Sequence, residues 1–244
     1  MRFINFLAPF IFGLVGILSF APFSIKLLIF ISYSYLIYIL ISDHKNPLFK
    51  IFLWGIGHWG FGMSWIIVSV YYYGETAIAT TFLIYISLVC TLSIVFTCPI
   101  ILIKKLLNLI NIKNNLYKTL LISSLFMLSE LSRYHLLNGV PWLIPGNIYL
   151  DTITQDIYSV LGVSGASILI YLISSNLVIL YNQTRFFYMI ILLSIISIIP
   201  NHKSENTSDG IKVSIIQPSS DPFLKYKANY DYEIEQNLLN LLQK

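Results

Sequence analysis

The sequence predicts an α-helical integral membrane protein of about seven transmembrane helices, followed by one strand and one helix. Three observations predict it. Hydrophobic residues make up 57% of the 244 residues and charged residues only 11%, against about 25% charged residues in soluble domains. Of 15 Lys and Arg, ten fall within residues 1–200; of 11 Asp and Glu, five do. So few charges cannot cover a water-facing surface over that length, which leaves the bilayer as the solvent. Finally, apolar runs recur seven times, separated by short polar or turn-forming segments.

The expected spans are Ile4–Phe20, Ile25–Ile41, Ile51–Tyr72, Ala77–Ile103, Thr119–Leu131, Ile157–Tyr181 and Phe186–Ile199. Pro22 cannot continue the first helix, and Ser24 is placed to cap the second. Arg2 and the first apolar run have the form of a signal peptide. Cleavage after Ala21 would leave Pro22 as the first residue, so a retained anchor is expected. In the third span, Gly55, Gly57, Gly60 and Gly62 suit close helix approach, with Gly60 and Ser64 as a small-xxx-small pair. The fifth span is interrupted by Glu130 and Arg133.

Charge sets the orientation. With a cytoplasmic N-terminus, one side carries Arg2, Lys45, Lys50, Lys104, Lys105, Lys113, Lys118 and Arg185, while the other carries Lys26 and Arg133 before the C-terminal segment. The positive-inside rule prefers this arrangement, and an odd number of spans puts residues 201–244 on the opposite face. Asn201–Gly210 reads as a linker and Ile211–Ile216 as an alternating strand. An amphipathic helix from Asn229 carries Ile234, Leu238, Leu241 and Leu242 on one stripe. One strand and one helix cannot bury a core of their own. They must dock onto the membrane part, another chain or a further segment.

Few residues carry recognisable chemistry. Cys90 and Cys98 lie in one apolar stretch, without the spacing of a zinc site or a neighbour that lowers a thiol pKa, and read as small packing residues. His58 stands alone among Trp54, Trp59 and Trp65, so packing or a hydrogen bond explains it better than a metal. Glu75 reads as a solvated turn residue. No nucleophile-elbow, zincin or Walker pattern is present. No basic run interleaved with aromatics points to nucleic acid, and the net charge of +4 selects no anionic partner. The richest segment joins spans five and six: Glu130 and Arg133, then Gly139-Val140-Pro141-Trp142 and Gly146. Ionisable groups at membrane depth are costly and mark functional sites, while an ion pair that merely orients the helix fits equally. Trp142 suits an aromatic-belt anchor better than the wall of a lipid entrance.

Several segments, in order, resemble one family, the bacterial apolipoprotein N-acyltransferases. They are Phe20-Ala21-Pro22-Phe23; the Gly-rich run Gly55 to Ser64 leading into Trp65-Ile66-Ile67-Val68-Ser69; Glu130 and Arg133 with Gly139-Val140-Pro141-Trp142 and Gly146; Leu161-Gly162-Val163-Ser164-Gly165; and Val213-Ser214-Ile215-Ile216-Gln217 with Leu224-Lys225-Tyr226. The resemblance implies transfer of an acyl chain from a membrane phospholipid to the N-terminal amine of a lipidated Cys in an apolipoprotein, in the bacterial inner membrane, without a cofactor. It implies a division into a transmembrane domain (1–200), a linker (201–210) and the start of a periplasmic nitrilase-like α/β domain (211–244). Glu130, Arg133, Gly139, Pro141, Trp142 and Gly146 become the expected substrate-binding residues, with Trp142 beside the lipid.

The family's catalytic Glu, Lys and Cys, which act through a thioester, fall beyond the position matching Lys244. No catalytic residue is therefore expected here, and these residues alone should not acylate. The chain also departs from the family pattern at Pro218-Ser219-Ser220 and at Ser164. Two other readings compete: a non-catalytic membrane scaffold pairing with a separately encoded catalytic half, and a small transporter. The spans lack the paired broken helices expected of the latter.

Overall fold

The computed structural model describes residues 2–42, 46–110, 112–135, 139–201, 215, 217 and 230–242. Among them each of the seven predicted apolar runs forms a helix: α1 (Arg2–Ile17), α2 (Leu28–Ile41), α3 (Pro47–Gly62) with its short continuation α4 (Trp65–Val68), α5 (Ile78–Leu109), α6 (Asn115–His135), α7 (Tyr158–Ile179) and α8 (Thr184–Ser197). An amphipathic α9 (Tyr230–Leu242) follows near the predicted place, its Ile234 and Leu238 half-buried. The strand expected at 211–216 lies outside the described residues except for Ile215. So does all of the predicted linker except Asn201.

Among the described residues two helical stretches, Ile78–Leu109 and Gln155–Ile179, are long and apolar enough to cross a membrane. A third joins them if α3 and the segment Trp65–Tyr73, bent by 50° at their junction, count as one span. Helices α1, α2 and α8 are apolar but shorter. At about 1.5 Å per residue, 14–16 residues reach only about 21–24 Å, short of the roughly 30 Å hydrocarbon layer.

Helix ends follow local chemistry. Asn114 Oδ1 accepts from the N–H groups of Leu116 (2.8 Å) and Tyr117 (3.4 Å), capping α6. Pro47 sits in the first turn of α3, where a missing N–H costs nothing. Ser24 does not cap α2. It adopts φ 54° and its N–H bonds to Phe20 O (2.9 Å), while α2 begins four residues later. The polar turn around the cis Ala21–Pro22 peptide is thus longer than predicted.

Six helices pack as a ring in the order α1, α3, α5, α6, α7, α2, and α8 rests against α7. The closest approach joins α1 and α3. A Cβ on Gly13 would collide with Trp54 O, and one on Gly57 with Phe10 O. A Cβ on Gly60, by contrast, would meet nothing nearer than 3.7 Å and Ser64 lies past the end of α3, so Gly57 rather than the Gly60–Ser64 pair makes the small-residue contact. Inside the ring, Tyr33, Trp54, Phe96, Phe126 and Tyr171 form a continuous aromatic core. Ser32 joins three helices, donating to Phe12 O (2.6 Å) and accepting from Trp54 Nε1 (3.1 Å).

Four connections gather at one end of the ring. Lys26 Nζ donates to Leu150 O (2.5 Å), Asn201 N–H to Asp151 O (3.0 Å), and Trp65 meets Trp142. An isolated bridge between Thr152 and Pro200 fastens the end of α8 there.

Candidate functional site

The sequence places Glu130 and Arg133 three residues apart on α6, hence on one face. In the fold that face points inward, and both side chains are fully buried. They form an ion pair with each other. Tyr171 Oη on α7 donates to Glu130 Oε2 (3.3 Å). The Arg133 guanidinium lies over the indole of Trp59 on α3, its Cζ 4.4 Å from the ring centroid, a cation–π contact strengthened by exclusion of water. One residue earlier, Ser129 Oγ donates to Phe96 O on α5 (2.9 Å). The pair therefore sits where α3, α5, α6 and α7 converge. Neither carboxylate nor guanidinium is open to a substrate in this arrangement.

Arg133 also reaches the following loop. Its Nη1 donates to Trp142 O (3.1 Å), and its own carbonyl accepts from Val140 N–H (3.3 Å). Gly139 adopts φ 90°, a backbone turn for which glycine carries no steric cost. Val140 then packs into a small buried cluster with Trp59, Met63, Val89 and Leu92. Pro141 and Trp142 are exposed. The Trp142 ring meets Trp65 edge to face at 5.4 Å. Trp65 lies just beyond the bend that separates α3 from α4, where no residue of α4 is buried.

Gly146 closes the loop against α7. Its N–H donates to Ser167 Oγ (2.9 Å), its carbonyl accepts from Tyr158 Oη (2.7 Å), and a Cβ there would collide with Val163 O. Of the six residues expected at the site, Arg133, Trp142 and Glu130 are joined by direct contacts, Gly139 supplies the turn, Pro141 borders the exposed tip, and Gly146 anchors the far end on α7.

Sequence reasoning did not place Trp59, Trp65, Tyr171, Tyr158 and Ser167 in this constellation. The spacing within a span says which residues share a helix face, and nothing in it says which face of α3 meets which face of α6. His58 is buried, stacks on Trp54 (4.7 Å between centroids) and has Nδ1 3.4 Å from Gly13 O, in line with a packing role. Cys90 is half-buried and Cys98 exposed. Beside the bend, Phe10, Leu14, Ile56, Phe61, Tyr85 and Cys90 line part of an apolar cavity of about 380 Å³.

The family model of the apolipoprotein N-acyltransferase N-terminal domain matches residues 12–176, a stretch that runs from the second half of α1 to near the end of α7 and contains the whole Glu130–Gly146 segment. The apolipoprotein N-acyltransferase of Haemophilus ducreyi is 30% identical over 178 residues, covering 72% of this chain and 34% of that protein. The Haemophilus influenzae enzyme of the same name is 25% identical over 245 residues, covering 95% of this chain and 45% of that protein. That of Photobacterium profundum is 31% identical over 170 residues, covering 68% and 32%. The chain spans between about a third and just under half the length of these curated relatives. By the match over residues 12–176, the chain belongs to the apolipoprotein N-acyltransferase family and contains its N-terminal domain.

Proposed function

We propose that this chain serves the transfer of an acyl chain from a membrane phospholipid to the N-terminal amine of a lipidated Cys in an apolipoprotein, and that its helical ring is the part that receives the lipid. The observation that carries this is the exposed Trp65–Trp142 pair, held by a fully buried ion pair, with Ser64, the residue before Trp65, lining an apolar cavity. Indole rings favour the boundary between headgroups and acyl chains. A rigid aromatic edge at that depth orients a chain that enters sideways from the bilayer. Gly139, Pro141 and Gly146 shape this edge, while Glu130 and Arg133 support it from within.

The same reading takes all seven apolar helices as membrane crossings, the shorter ones accommodated by local thinning of the bilayer. The N-terminus is then cytoplasmic, and Asn201 lies on the opposite, periplasmic face of a bacterial inner membrane. Residues 201–210 act as a linker to a nitrilase-like domain that starts near residue 211. Charge supports the orientation: Lys50, Lys104, Lys105, Lys113, Lys118 and Arg185 all lie toward the end remote from the Trp pair.

Two experiments test the reading. Accessibility tags at the N-terminus and at residue 205 should report opposite faces of the membrane; the same face for both would remove the seven-crossing topology. In nanodiscs, a fluorescent phospholipid should bind saturably above the annular background, and Trp142→Ala should weaken that binding about fivefold, the factor that 1 kcal/mol of aromatic contact represents. Non-saturable binding, or binding unchanged by Trp142→Ala, would sink the lipid-receiving role.

A further inference from the structure

We infer that Arg133 is a positioning residue that sets where the indole of Trp142 meets the bilayer, without touching lipid itself. This deepens the lipid-receiving role proposed above and rests on it. Arg133 is fully buried, so an acyl chain has no access to its guanidinium. That group joins the ion pair with Glu130, the hydrogen bond to Trp142 O and the cation–π contact with Trp59. With its own carbonyl holding Val140 N–H, a single residue of α6 ties down both ends of the segment that presents Pro141 and Trp142.

The loop needs such a hold. Leu143, the residue after Trp142, adopts φ 58°, a left-handed conformation that costs a branched L side chain about 1–3 kcal/mol. Its side chain occupies the space over Gly62, where a Cβ would collide with Leu143 Cδ1. Swinging the loop outward would relax Leu143 and separate Trp142 from Trp65. The bond from Arg133 to Trp142 O opposes that motion. Trp65 lies across the 50° bend from Trp59, so the guanidinium couples the bend in the α3–α4 rod to the loop through the ring of Trp59 on one side and the carbonyl of Trp142 on the other.

Only a planar group with several fixed donors can pair with a carboxylate, stack on an indole and bond a carbonyl together. A lysine at 133 keeps a positive charge for Glu130 but presents a compact ammonium that cannot stack flat and span all three. Arg133→Lys therefore separates positioning from simple charge neutralisation.

The test reads Trp142 directly. The protein is placed in nanodiscs whose phospholipids carry bromine at shallow or deep acyl positions. Tryptophan quenching is recorded with and without Trp142→Phe, so that the difference isolates Trp142. In the unaltered protein Trp142 should be quenched, with a definite depth preference. Arg133→Lys should change the shallow-to-deep quenching ratio by about twofold while the buried Trp54 stays unquenched, which certifies the fold.

If Trp142 is unquenched in the unaltered protein, the lipid-receiving role itself fails. If it is quenched there and the ratio is the same in Arg133→Lys, the lipid role stands and the positioning role is overturned. Should Arg133→Lys not fold, the double variant Glu130→Leu/Arg133→Met, which removes both charges and keeps the volume, serves in its place with the same expected shift and the same contradicting result.

Discussion

Glu130→Leu is expected to destabilise the protein by about 3–5 kcal/mol, the largest effect of any single substitution considered. The magnitude follows from what remains rather than from what is removed. Arg133 is fully buried on α6, and its charge is paired with Glu130. The cation–π contact with Trp59 and the bond to Trp142 O lessen the penalty but do not neutralise the charge. Tyr171 Oη also loses its acceptor on Glu130. Removing both charges in Glu130→Leu/Arg133→Met should recover most of the loss, because apolar groups of similar volume can replace a buried pair at little cost. Equilibrium unfolding in bicelles or mixed micelles measures both. A single variant within about 1 kcal/mol of the unaltered protein would mean that water or another carboxylate reaches Arg133.

Gly57→Val is expected to cost about 3 kcal/mol or more. A Cβ at this position collides with the carbonyl of Phe10, a backbone atom that cannot rotate away. Accommodating it requires α1 and α3 to separate, which also frees the contact of Gly13 with Trp54 O. Overpacking a tight interface costs about 1–3 kcal/mol even where side chains can yield, so a backbone obstacle lies at or above the top of that range. Gly60→Ala is the control. The atoms nearest to an added Cβ, Tyr85 Oη and Val89 Cγ1, would stand at 3.7 and 3.9 Å. The added methyl fits, and reduced freedom of the unfolded chain makes the change neutral to mildly stabilising. Equal losses at the two positions in unfolding measurements would contradict the helix pairing.

The helices were legible because apolar runs bounded by Pro, Gly, Asn and Ser announce them. The predicted span Thr119–Leu131 is shorter than α6, which extends to His135, because Glu130 and Arg133 look like the end of an apolar stretch. In the fold they neutralise each other inside the ring, so the helix continues past them. The bend between Gly62 and Trp65 was not legible within the run Ile51–Tyr72, since no Pro marks it. Beside it Leu143 fills the space over Gly62, from some 80 positions away in the chain. The Glu130–Gly146 segment stood out from its charges, Gly and Trp. Its three-dimensional meaning depended on Trp59 and Trp65, which in sequence are ordinary aromatics of an apolar helix.

The most direct measurement uses a phospholipid carrying a photoactivatable group at the end of one acyl chain, with labelled residues mapped by mass spectrometry after illumination in nanodiscs. Exposed apolar positions of α8, such as Leu192 and Leu193, report ordinary contact with surrounding lipid. Labelling concentrated on Trp65, Trp142 and the cavity around Phe61 and Cys90, in excess of α8 and lost in Trp142→Ala, is the predicted result. Labelling of those residues no greater than that of α8 would contradict a lipid-receiving site at this end of the ring.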